Sequence, residues 1–406
     1  MGQPVTAWTG ADGGAERGHD ERNTVMTTDE SRFEVLREEV EAFVRGPGEQ
    51  YAAQIEQTRA VPDRLFGDLR DRGYLRLAAP AEYGGLGLPF VRYLELLELF
   101  SMSHASLRMI VHVCNGVWRS MDQFATDEQR KKFVLPQVAG DARVAFTLTE
   151  PTAGTGADMR CSVVREGDTY LLSGEKHLIT FGVSCDWWLT FARLHGTAGK
   201  DGTVALMVDR QAPGVTVEPM PDTMGVRGTD HARLVFDRTP VPVAHRLGEE
   251  GQGLEVALGG FLTPSRIAVA MTCVGLARRA QELAVAHARV RRTFGKPLAA
   301  RQAVAFALAE NAADLEAARQ LTLFAAGRWE SGDPRAGALS SMAKLTAVDM
   351  LTRVTDKALQ VHGGIGYWES SPIERVYRDA RAQRFEEGTN EIQKTVIARD
   401  VLGDVR

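Results

Sequence analysis

One stretch near the C-terminus organises the interpretation of the chain: Arg384-Phe385-Glu386-Glu387-Gly388-Thr389-Asn390-Glu391-Ile392. Two acidic residues precede a glycine and a threonine, and from Ile392 onward apolar residues recur at helical spacing. We therefore predict a helix with Thr389 at its N-cap and Gly388 in the turn that leads into it. A carboxylate beside a helix N-terminus lies near free N–H groups and the positive end of the helix dipole, so it can be aimed into a cavity. The alternative is an ordinary acidic helix start.

The composition limits the class of protein. A chain of 406 residues with 44% hydrophobic residues is long enough for two or three domains with cores of their own. The net formal charge of -5, without a stripe of Lys and Arg, argues against a nucleic-acid partner. No apolar run approaches the roughly 20 residues of a membrane helix, so no membrane partner is expected.

The histidines and cysteines give no sign of a metal or disulfide framework. The nine histidines form no HxxxH or HExxH pair, so no metal site is predicted. The four cysteines include no CxxC pair, and we expect them to be reduced thiols of a cytoplasmic protein.

The pattern of apolar residues divides the chain into four parts. Residues 1–30 have little apolar content and are expected to form a disordered tail. Residues 31–143 show helical spacing, residues 144–250 carry short strands typical of an antiparallel barrel or sandwich, and residues 251–406 return to helical spacing. The predicted C-terminal helices are Arg266–Val290, Gln302–Arg328, Ala336–Val361 and Thr389–Leu402.

Three polar residues of the first helical part share one predicted helix face. His104, Arg108 and His112 are spaced i, i+4 and i+8. One interpretation is a solvated or partly satisfied polar face, because such residues are mostly exposed. The other is a polar patch that lines a substrate pocket.

Three further segments favour a functional role of the C-terminal stretch over an ordinary acidic helix start. They are Phe146-Thr147-Leu148-Thr149-Glu150-Pro151 with Gly154, then Arg291-Arg292-Thr293-Phe294-Gly295-Lys296-Pro297, then Gln360-Val361-His362-Gly363-Gly364-Ile365-Gly366-Tyr367. In this order and spacing, the four segments resemble the acyl-CoA dehydrogenase family of flavoproteins, from about Ser31 to the C-terminus. The resemblance implies an α+β fold with an N-terminal helical domain, a middle antiparallel β-barrel domain and a C-terminal four-helix bundle that assembles the oligomer. It also implies FAD as the cofactor.

Dehydrogenation at Cα and Cβ of a thioester needs a base, an electron acceptor and a donor to the carbonyl oxygen. Flavin is the acceptor, because no side chain accepts hydride. By resemblance, Glu387 stands at the position of the family's base, flavin N5 accepts the hydride, and the Glu387 backbone N–H contacts the thioester oxygen. Some relatives place the base at the segment that here is Thr263-Pro264-Ser265-Arg266, which contains no acid.

The resemblance also assigns cofactor-binding residues: Phe146, Leu148, Thr149, Thr155, Leu178, Thr180, Arg291, Thr293, Phe294, Gln302, Gln360, Gly364, Thr389 and Glu391. Thr149 and Thr180 match the threonines that meet the flavin ring, although strand propensity alone also explains a threonine there. Leu178 replaces the usual tryptophan. Arg291 matches an arginine that reaches a subunit partner's FAD pyrophosphate, a role suited to its bidentate donors; the alternative is a surface ion pair.

The substrate-binding residues implied by the resemblance are Thr155, Arg266, Glu387 and Gly388. Gly156 replaces an aspartate in the loop that normally touches CoA, so both CoA and an acyl carrier protein stay open as carriers of the acyl group. Glu386 stands where tyrosine is common, beside the base. An acidic neighbour predicts a polar pocket and a short or polar acyl group.

The resemblance implies a homodimer or homotetramer that passes electrons to an electron-transfer flavoprotein or another acceptor. We expect a bacterial enzyme of specialised metabolism. Two alternatives stay open: a flavin-dependent oxidase or monooxygenase on the same fold, and a non-catalytic interaction protein. The intact base argues against the first, and the intact flavin residues argue against the second.

Overall fold

Helices flank a central sheet in the computed structural model, which describes residues 20–153, 156 and 158–403. The first helices are α1 (Asp20–Arg45), α2 (Pro47–Thr58), α3 (Asp63–Asp71), α4 (Phe90–Phe100), α5 (Ala105–Asp122), α6 (Asp127–Gln129) and α7 (Leu135–Ala139). Because α1 begins at Asp20, the last part of the segment expected to be disordered is helical, and that part of the prediction was wrong. Residues 1–19 lie outside the described residues.

The middle of the chain forms one sheet of eight strands. They are β1 (Val144–Thr147), β2 (Ser162–Glu166), β3 (Thr169–Thr180), β4 (Trp187–Leu194), β5 (Thr203–Asp209), β6 (Val215–Pro219), β7 (His231–Pro242) and β8 (Arg246–Leu247). The order is β6-β7-β3-β2-β4-β5-β8, and β1 pairs with β4. Most pairs are antiparallel, as predicted, but β1 and β2 both run parallel to β4. The fully buried Trp188 anchors the core between the strands.

The last part is the predicted helical domain. It contains α8 (Gly253–Ala257), a π-helical turn (Leu258–Leu262), α9 (Thr263–Val290), a hairpin of β9 (Arg292–Thr293) and β10 (Lys296–Pro297), α10 (Gln302–Glu330), α11 (Ala336–His362), α12 (Pro372–Ala382) and α13 (Asn390–Leu402). The predicted helix boundaries differ from these by a few residues. α9, α10 and α11 pack along one another, with α13 against α11.

α9 is the central helix of this domain because its small residues let neighbours approach closely. A Cβ atom at Gly275 would lie 2.3 Å from the carbonyl oxygen of Glu98 on α4. By length and composition, the helical segment Gly253–Val290 could span a membrane, but 83% of its most apolar window is buried within the protein. The expectation that no apolar run reaches this length was therefore wrong. The apolar surface of this helical segment is buried by packing within the chain.

Candidate active site

Glu387 lies in the loop between α12 and α13, and its backbone is held in a sparsely allowed conformation. Its φ is 55°, the left-handed region that residues other than glycine rarely adopt. Its carbonyl oxygen accepts hydrogen bonds from Arg266 Nε at 3.3 Å and Gln393 Nε2 at 3.1 Å. The next carbonyl, of Gly388, accepts from Lys344 Nζ. Backbone strain of this kind persists only where the surroundings fix it, and it is common at functional sites.

Thr389 is the N-cap of α13, as predicted, but its side chain makes no capping hydrogen bond. Glu391 lies in the first turn of the same helix. Thr389 follows Gly388, whose carbonyl oxygen accepts from Lys344 Nζ, and Glu391 lies two residues further along the chain.

The start of α9 presents Ser265 to the Glu387 carboxylate. The Ser265 hydroxyl donates to Glu387 Oε1 at 2.7 Å. The π-helical turn that precedes α9 changes the direction from which the chain enters this helix; such turns are frequent at functional sites. Arg266, the predicted CoA contact, is buried and holds the Glu387 carbonyl.

His112 lies behind Ser265. Its Nε2 is 2.8 Å from the Ser265 hydroxyl oxygen. The sequence spacing had placed His112 on one face with His104 and Arg108, and the structure buries all three residues. The interpretation of a solvated face was therefore wrong, whereas a partly satisfied polar face agrees with the structure, since Arg108 Nε and His112 Nδ1 have no partner among the described residues. The signal for His112 as a neighbour of Ser265 was absent from the sequence, because the two residues lie on different helices.

Arg108 occupies both oxygens of the Glu386 carboxylate. Its Nη1 and Nη2 donate to Glu386 Oε1 and Oε2 at 2.7 and 2.9 Å. Burial acts to raise the pKa of Glu386, but the Arg108 charge and hydrogen bonds outweigh burial and hold that pKa below its usual value. The sequence predicted a polar pocket from this acidic neighbour of Glu387, and the structure places its charge against the buried guanidinium of Arg108.

Burial raises the pKa of Glu387 to about 7. The Ser265 hydrogen bond opposes this shift, the negative Glu386 adds to it, and the charges of Lys344 and Arg266 oppose it. The result is a carboxylate that titrates near neutral pH. Such a group can both accept and release a proton under physiological conditions.

A small cavity adjoins Ser265 and His112. Its lining consists of Phe90, Tyr93, His112, Gly116, Arg119, Phe261, Pro264, Ser265 and Ala268. The cavity volume is about 10 Å³, roughly the space for one water molecule. Two buried polar atoms of the lining, Tyr93 Oη and His112 Nδ1, have no hydrogen-bond partner within the described residues. A larger cleft of about 690 Å³ lies elsewhere, between α9 and α10.

The predicted flavin-ring residues come together where the segment after β1 meets the last residues of β3, a place here called the flavin edge. The Thr149 carbonyl oxygen accepts from His177 N at 2.9 Å, and the Leu148 carbonyl oxygen accepts from Lys176 Nζ at 2.9 Å. These bonds hold the segment after β1 beside the end of β3, which carries Leu178 and Thr180. Leu178 has a φ of 59° and is 55% exposed. Phe146 connects this edge to the cavity, since its ring centroid lies 4.6 Å from that of Phe261.

The other predicted cofactor residues lie at the opposite end of α9. They are Arg291, Thr293 and Phe294 in and around the β9–β10 hairpin, Gln302 at the start of α10, and Gln360 and Gly364 at the end of α11. The stacked rings of His287 and His362, 4.6 Å apart, join the ends of α9 and α11. The rise of a helix separates Ser265 from Arg291 by about 39 Å. A single chain therefore does not bring this group, here called the hairpin end, to Glu387.

The residues present fit FAD. At the hairpin end, Phe294 is 97% exposed and Arg291 is exposed. Cβ atoms built at Gly363 and Gly364 would meet no atom within 4 Å, so the backbone there is open to close approach. An arginine, an uncovered aromatic ring and bare glycine backbone suit an anionic dinucleotide. Thr155, assigned to both FAD and substrate, lies outside the described residues.

All four cysteines are free thiols, three buried and Cys114 partly exposed. Across the described ranges, no group of three or more His, Cys, Asp or Glu residues could hold a metal ion.

Three family models match successive parts of the chain. The model described as acyl-CoA dehydrogenase, N-terminal domain, matches residues 30–141. The corresponding middle-domain model matches residues 145–239, and the C-terminal-domain model matches residues 251–402.

Individual relatives match nearly the whole chain. An acyl-CoA dehydrogenase of Bacillus subtilis (strain 168) is 35% identical over 371 residues, 91% of this chain and 97% of the relative. The structure of butyryl-CoA dehydrogenase from Megasphaera elsdenii is 31% identical, has a TM-score of 0.86, and covers 91% of this chain and 98% of its own. A structure from work on the electron transferring flavoprotein of Acidaminococcus fermentans is 30% identical, has a TM-score of 0.87, and covers 92% and 98%.

Proposed function

This chain belongs to the acyl-CoA dehydrogenase family, an FAD-dependent oxidoreductase acting on CH–CH bonds, and from this we propose that Glu387 is the base that removes the α proton of an acyl thioester. One observation carries the proposal: the Glu387 carboxylate is fixed by Ser265 and has a pKa of about 7. A base whose pKa lies near the working pH combines a large ionised fraction with a strong affinity for the proton.

The protein's own groups have separate tasks in this reaction. Bound FAD supplies the electron acceptor that no side chain can provide. The ionised Glu387 carboxylate accepts the α proton. The backbone N–H groups of Glu386 and Gly388 donate to carbonyls of α12 and its following turn, whereas that of Glu387 donates to no carbonyl among the described residues. It is therefore free to stabilise the thioester oxygen as negative charge develops there.

The proposed substrate is a short acyl group that carries a polar oxygen. The cavity beside Ser265 is small, and Phe90 and Phe261 are part of its lining. Tyr93 and His112 belong to its lining, and their Oη and Nδ1 atoms have no hydrogen-bond partner among the described residues. Arg119, also in the lining, stacks on Trp118 and donates to the Asn115 carbonyl at 2.6 Å, and it forms no ion pair within the described part of the chain. Burial lowers the pKa of Arg119 to about 10, so it stays charged at neutral pH. Because the cavity is about the size of one water molecule, we propose that the polar oxygen of the acyl group, rather than its carbon chain, reaches these polar groups.

We also propose which carrier holds the acyl group and how the subunits of the protein associate. The thioester is attached to CoA or to an acyl carrier protein. The protein is a cytoplasmic homodimer or homotetramer, because the hairpin end needs a second subunit to meet the flavin edge of the sheet. An electron-transfer flavoprotein or another acceptor reoxidises the enzyme, and the reaction belongs to bacterial specialised metabolism.

The test is anaerobic bleaching of the flavin absorbance by a panel of acyl-CoA and acyl-carrier thioesters of two to twelve carbons, each chain length offered with and without a terminal oxygen. We expect the fastest bleaching with a short, oxygen-bearing acyl group. A twelve-carbon fatty acyl group that bleaches fastest contradicts the substrate proposal. An enzyme that no thioester bleaches, and whose reduced flavin reacts rapidly with oxygen, is an oxidase or monooxygenase instead.

A further inference from the structure

Two buried side chains from different helices form a chain of hydrogen bonds to the Glu387 carboxylate: Ser265 contacts the carboxylate, and His112 contacts Ser265. We propose that Ser265 and His112 are positioning residues of the base: the Ser265 hydroxyl holds the ionised carboxylate of Glu387, and His112 directs the Ser265 proton toward it. The inference rests on the proposed role of Glu387. It assigns a task to two residues that the sequence did not connect with the base.

The two distances fix the direction of each hydrogen bond. An ionised carboxylate only accepts, so Ser265 must donate its single proton to Glu387 Oε1 across 2.7 Å. The Ser265 oxygen then has only lone pairs left for His112 Nε2, 2.8 Å away. His112 must therefore carry its proton on Nε2, which leaves Nδ1 as the unprotonated nitrogen. Nδ1 is the atom that is buried without a partner in the described structure.

His112 acts as a neutral donor. Burial, helped by the charge of Arg108, lowers the pKa of His112 to about 4. The ring is therefore uncharged across the working pH range, and it orients the hydroxyl without adding a positive charge beside the base. Phe261 packs near the other side of the imidazole, with ring centroids 6.1 Å apart, so the ring orientation is also sterically limited.

The other charged groups around Glu387 act on other atoms. They are Glu386 in the same loop, Arg266 on α9, Lys344 on α11, and Arg108 on α5. Arg108 bonds the Glu386 carboxylate, Arg266 bonds the Glu387 carbonyl, and Lys344 bonds the Gly388 carbonyl. Within the described residues, Ser265 is the one donor to the Glu387 carboxylate itself. Removing its hydroxyl thus changes the carboxylate while leaving these charges in place.

The experiment is a pH titration of the resting, FAD-loaded enzyme by infrared difference spectroscopy. Glu387→Gln identifies the protonated-carboxyl band of Glu387 by its loss. Ser265→Ala should raise the midpoint of that band by about one pH unit, because a hydrogen bond to the charged form is lost. His112→Phe keeps a ring of similar size and should also raise the midpoint, since the Ser265 hydroxyl is free to turn away. Ser265→Thr keeps a hydroxyl and should restore the wild-type midpoint.

Thr263→Val is the matched control. Its hydroxyl lies on the same helix start but donates to the Leu258 carbonyl at 3.1 Å, so its removal should leave the midpoint unchanged. FAD content of every variant reports folding, and the pH dependence of flavin bleaching provides a second reading of the same midpoint.

An unchanged midpoint in Ser265→Ala or in His112→Phe overturns the proposal, as does a Glu387 band that does not titrate between pH 5 and 9. The titration uses no substrate, so its result is separate from the proposed function. If the midpoints shift but no thioester bleaches the wild-type flavin, the proposed function fails while the positioning roles stand.

Discussion

At the scale of single residues, Glu386 and Glu387 are neighbours in sequence with opposite environments. Arg108 neutralises the first, whereas burial dominates the second. The same residue type therefore yields a carboxylate with a lowered pKa that pairs with arginine at one position, and a group with a raised pKa at the next. The structural cause is that consecutive side chains of this loop point to different neighbours, one toward α5 and the other toward α9.

Glu387→Gln should abolish most activity without unfolding the protein. The amide keeps the shape and can still bond Ser265, but it cannot accept a proton. We expect flavin reduction by the best thioester to fall by roughly 10²–10⁴-fold, with FAD content unchanged. Stopped-flow absorbance under anaerobic conditions measures the rate. A variant that reduces its flavin at the wild-type rate rules out Glu387 as the base.

Glu386→Gln should instead lower stability. It leaves the buried Arg108 guanidinium without its counter-charge, which costs about 3–5 kcal/mol in comparable buried pairs. It also removes a negative neighbour, so the pKa of Glu387 should fall and the acid limb of the activity profile should move to lower pH. Chemical denaturation and a pH profile test both effects. If Glu386→Gln loses flavin reduction while Glu387→Gln keeps it, the base is Glu386.

The raised pKa of Glu387 also predicts a pH dependence of stability. Its pKa is about 7 in the folded protein and near 4.5 when unperturbed, so the folded state binds the proton more tightly. This contribution to stability is present at low pH and is lost as pH rises through about 7. Glu387→Gln should match the wild-type Tm at pH 5 and exceed it at pH 8. An equal Tm difference between the variant and the wild type at both pH values would show that burial does not raise the pKa of the Glu387 carboxyl group.

At the scale of elements, the junction of α5, β1 and the π-helical turn before α9 forms the wall between flavin edge and cavity. Gly116 on α5 permits this contact, because a Cβ there would lie 2.9 Å from the Phe261 ring. The Phe261 ring in turn packs on Phe146 of β1. The contact among these three elements therefore depends on the absence of a side chain at Gly116.

Gly116→Ala should destabilise the protein by about 1–3 kcal/mol and alter the flavin absorbance spectrum, because the Phe261 ring is forced toward Phe146. The matched control is Gly327→Ala, inside α10, where a Cβ meets no atom within 4 Å. There the substitution should stabilise by about 0.5–1 kcal/mol through helix propensity. Tm and flavin spectra of the two variants provide the comparison. Equal Tm values for the two variants would show that the close contact between Gly116 and the Phe261 ring does not limit stability.

The predicted elements agreed best with the structure where the sequence pattern is long. The α9, α10 and α11 helices were predicted to within a few residues, because each has more than seven turns of apolar periodicity. Strand pairing was harder: the parallel pairing of β1 and β2 with β4 was not predicted, because pairing partners leave no local pattern in the sequence. The π-helical turns at Arg130–Val134 and Leu258–Leu262 also carry no sequence signal of their own.

At the scale of the whole molecule, the predicted FAD residues fall into two groups at opposite ends of α9. If one dinucleotide contacts both groups, as we propose, it needs residues from two subunits, and cofactor retention is then linked to assembly. Exposed apolar side chains at the hairpin end, Val290, Phe294, Tyr367 and Trp368, would be covered by such a contact. We expect a yellow protein with one FAD per subunit.

Arg291→Ala should weaken FAD retention and oligomer assembly together, because its guanidinium is predicted to bind the pyrophosphate held between subunits. Light scattering coupled to flavin absorbance measures both quantities. The control is Arg238→Ala, an exposed arginine that pairs with Glu166 on the surface of the sheet and should leave both unchanged. A monomer that keeps its flavin would contradict the shared-site prediction.

The sequence by itself determined the helical, β, helical order and the position of Glu387 before a glycine and a helix, because these depend on local periodicity and turn chemistry. It did not determine what surrounds Glu387. Arg108 and Glu386 are 278 residues apart, Ser265 and Glu387 are 122 apart, and His112 and Ser265 are 153 apart. Contacts of that range arise only when α5, α9 and the loop before α13 pack together. The tertiary structure therefore decided which of two adjacent glutamates is neutralised by arginine, and which is left in a buried, hydrogen-bonded setting with a pKa near 7.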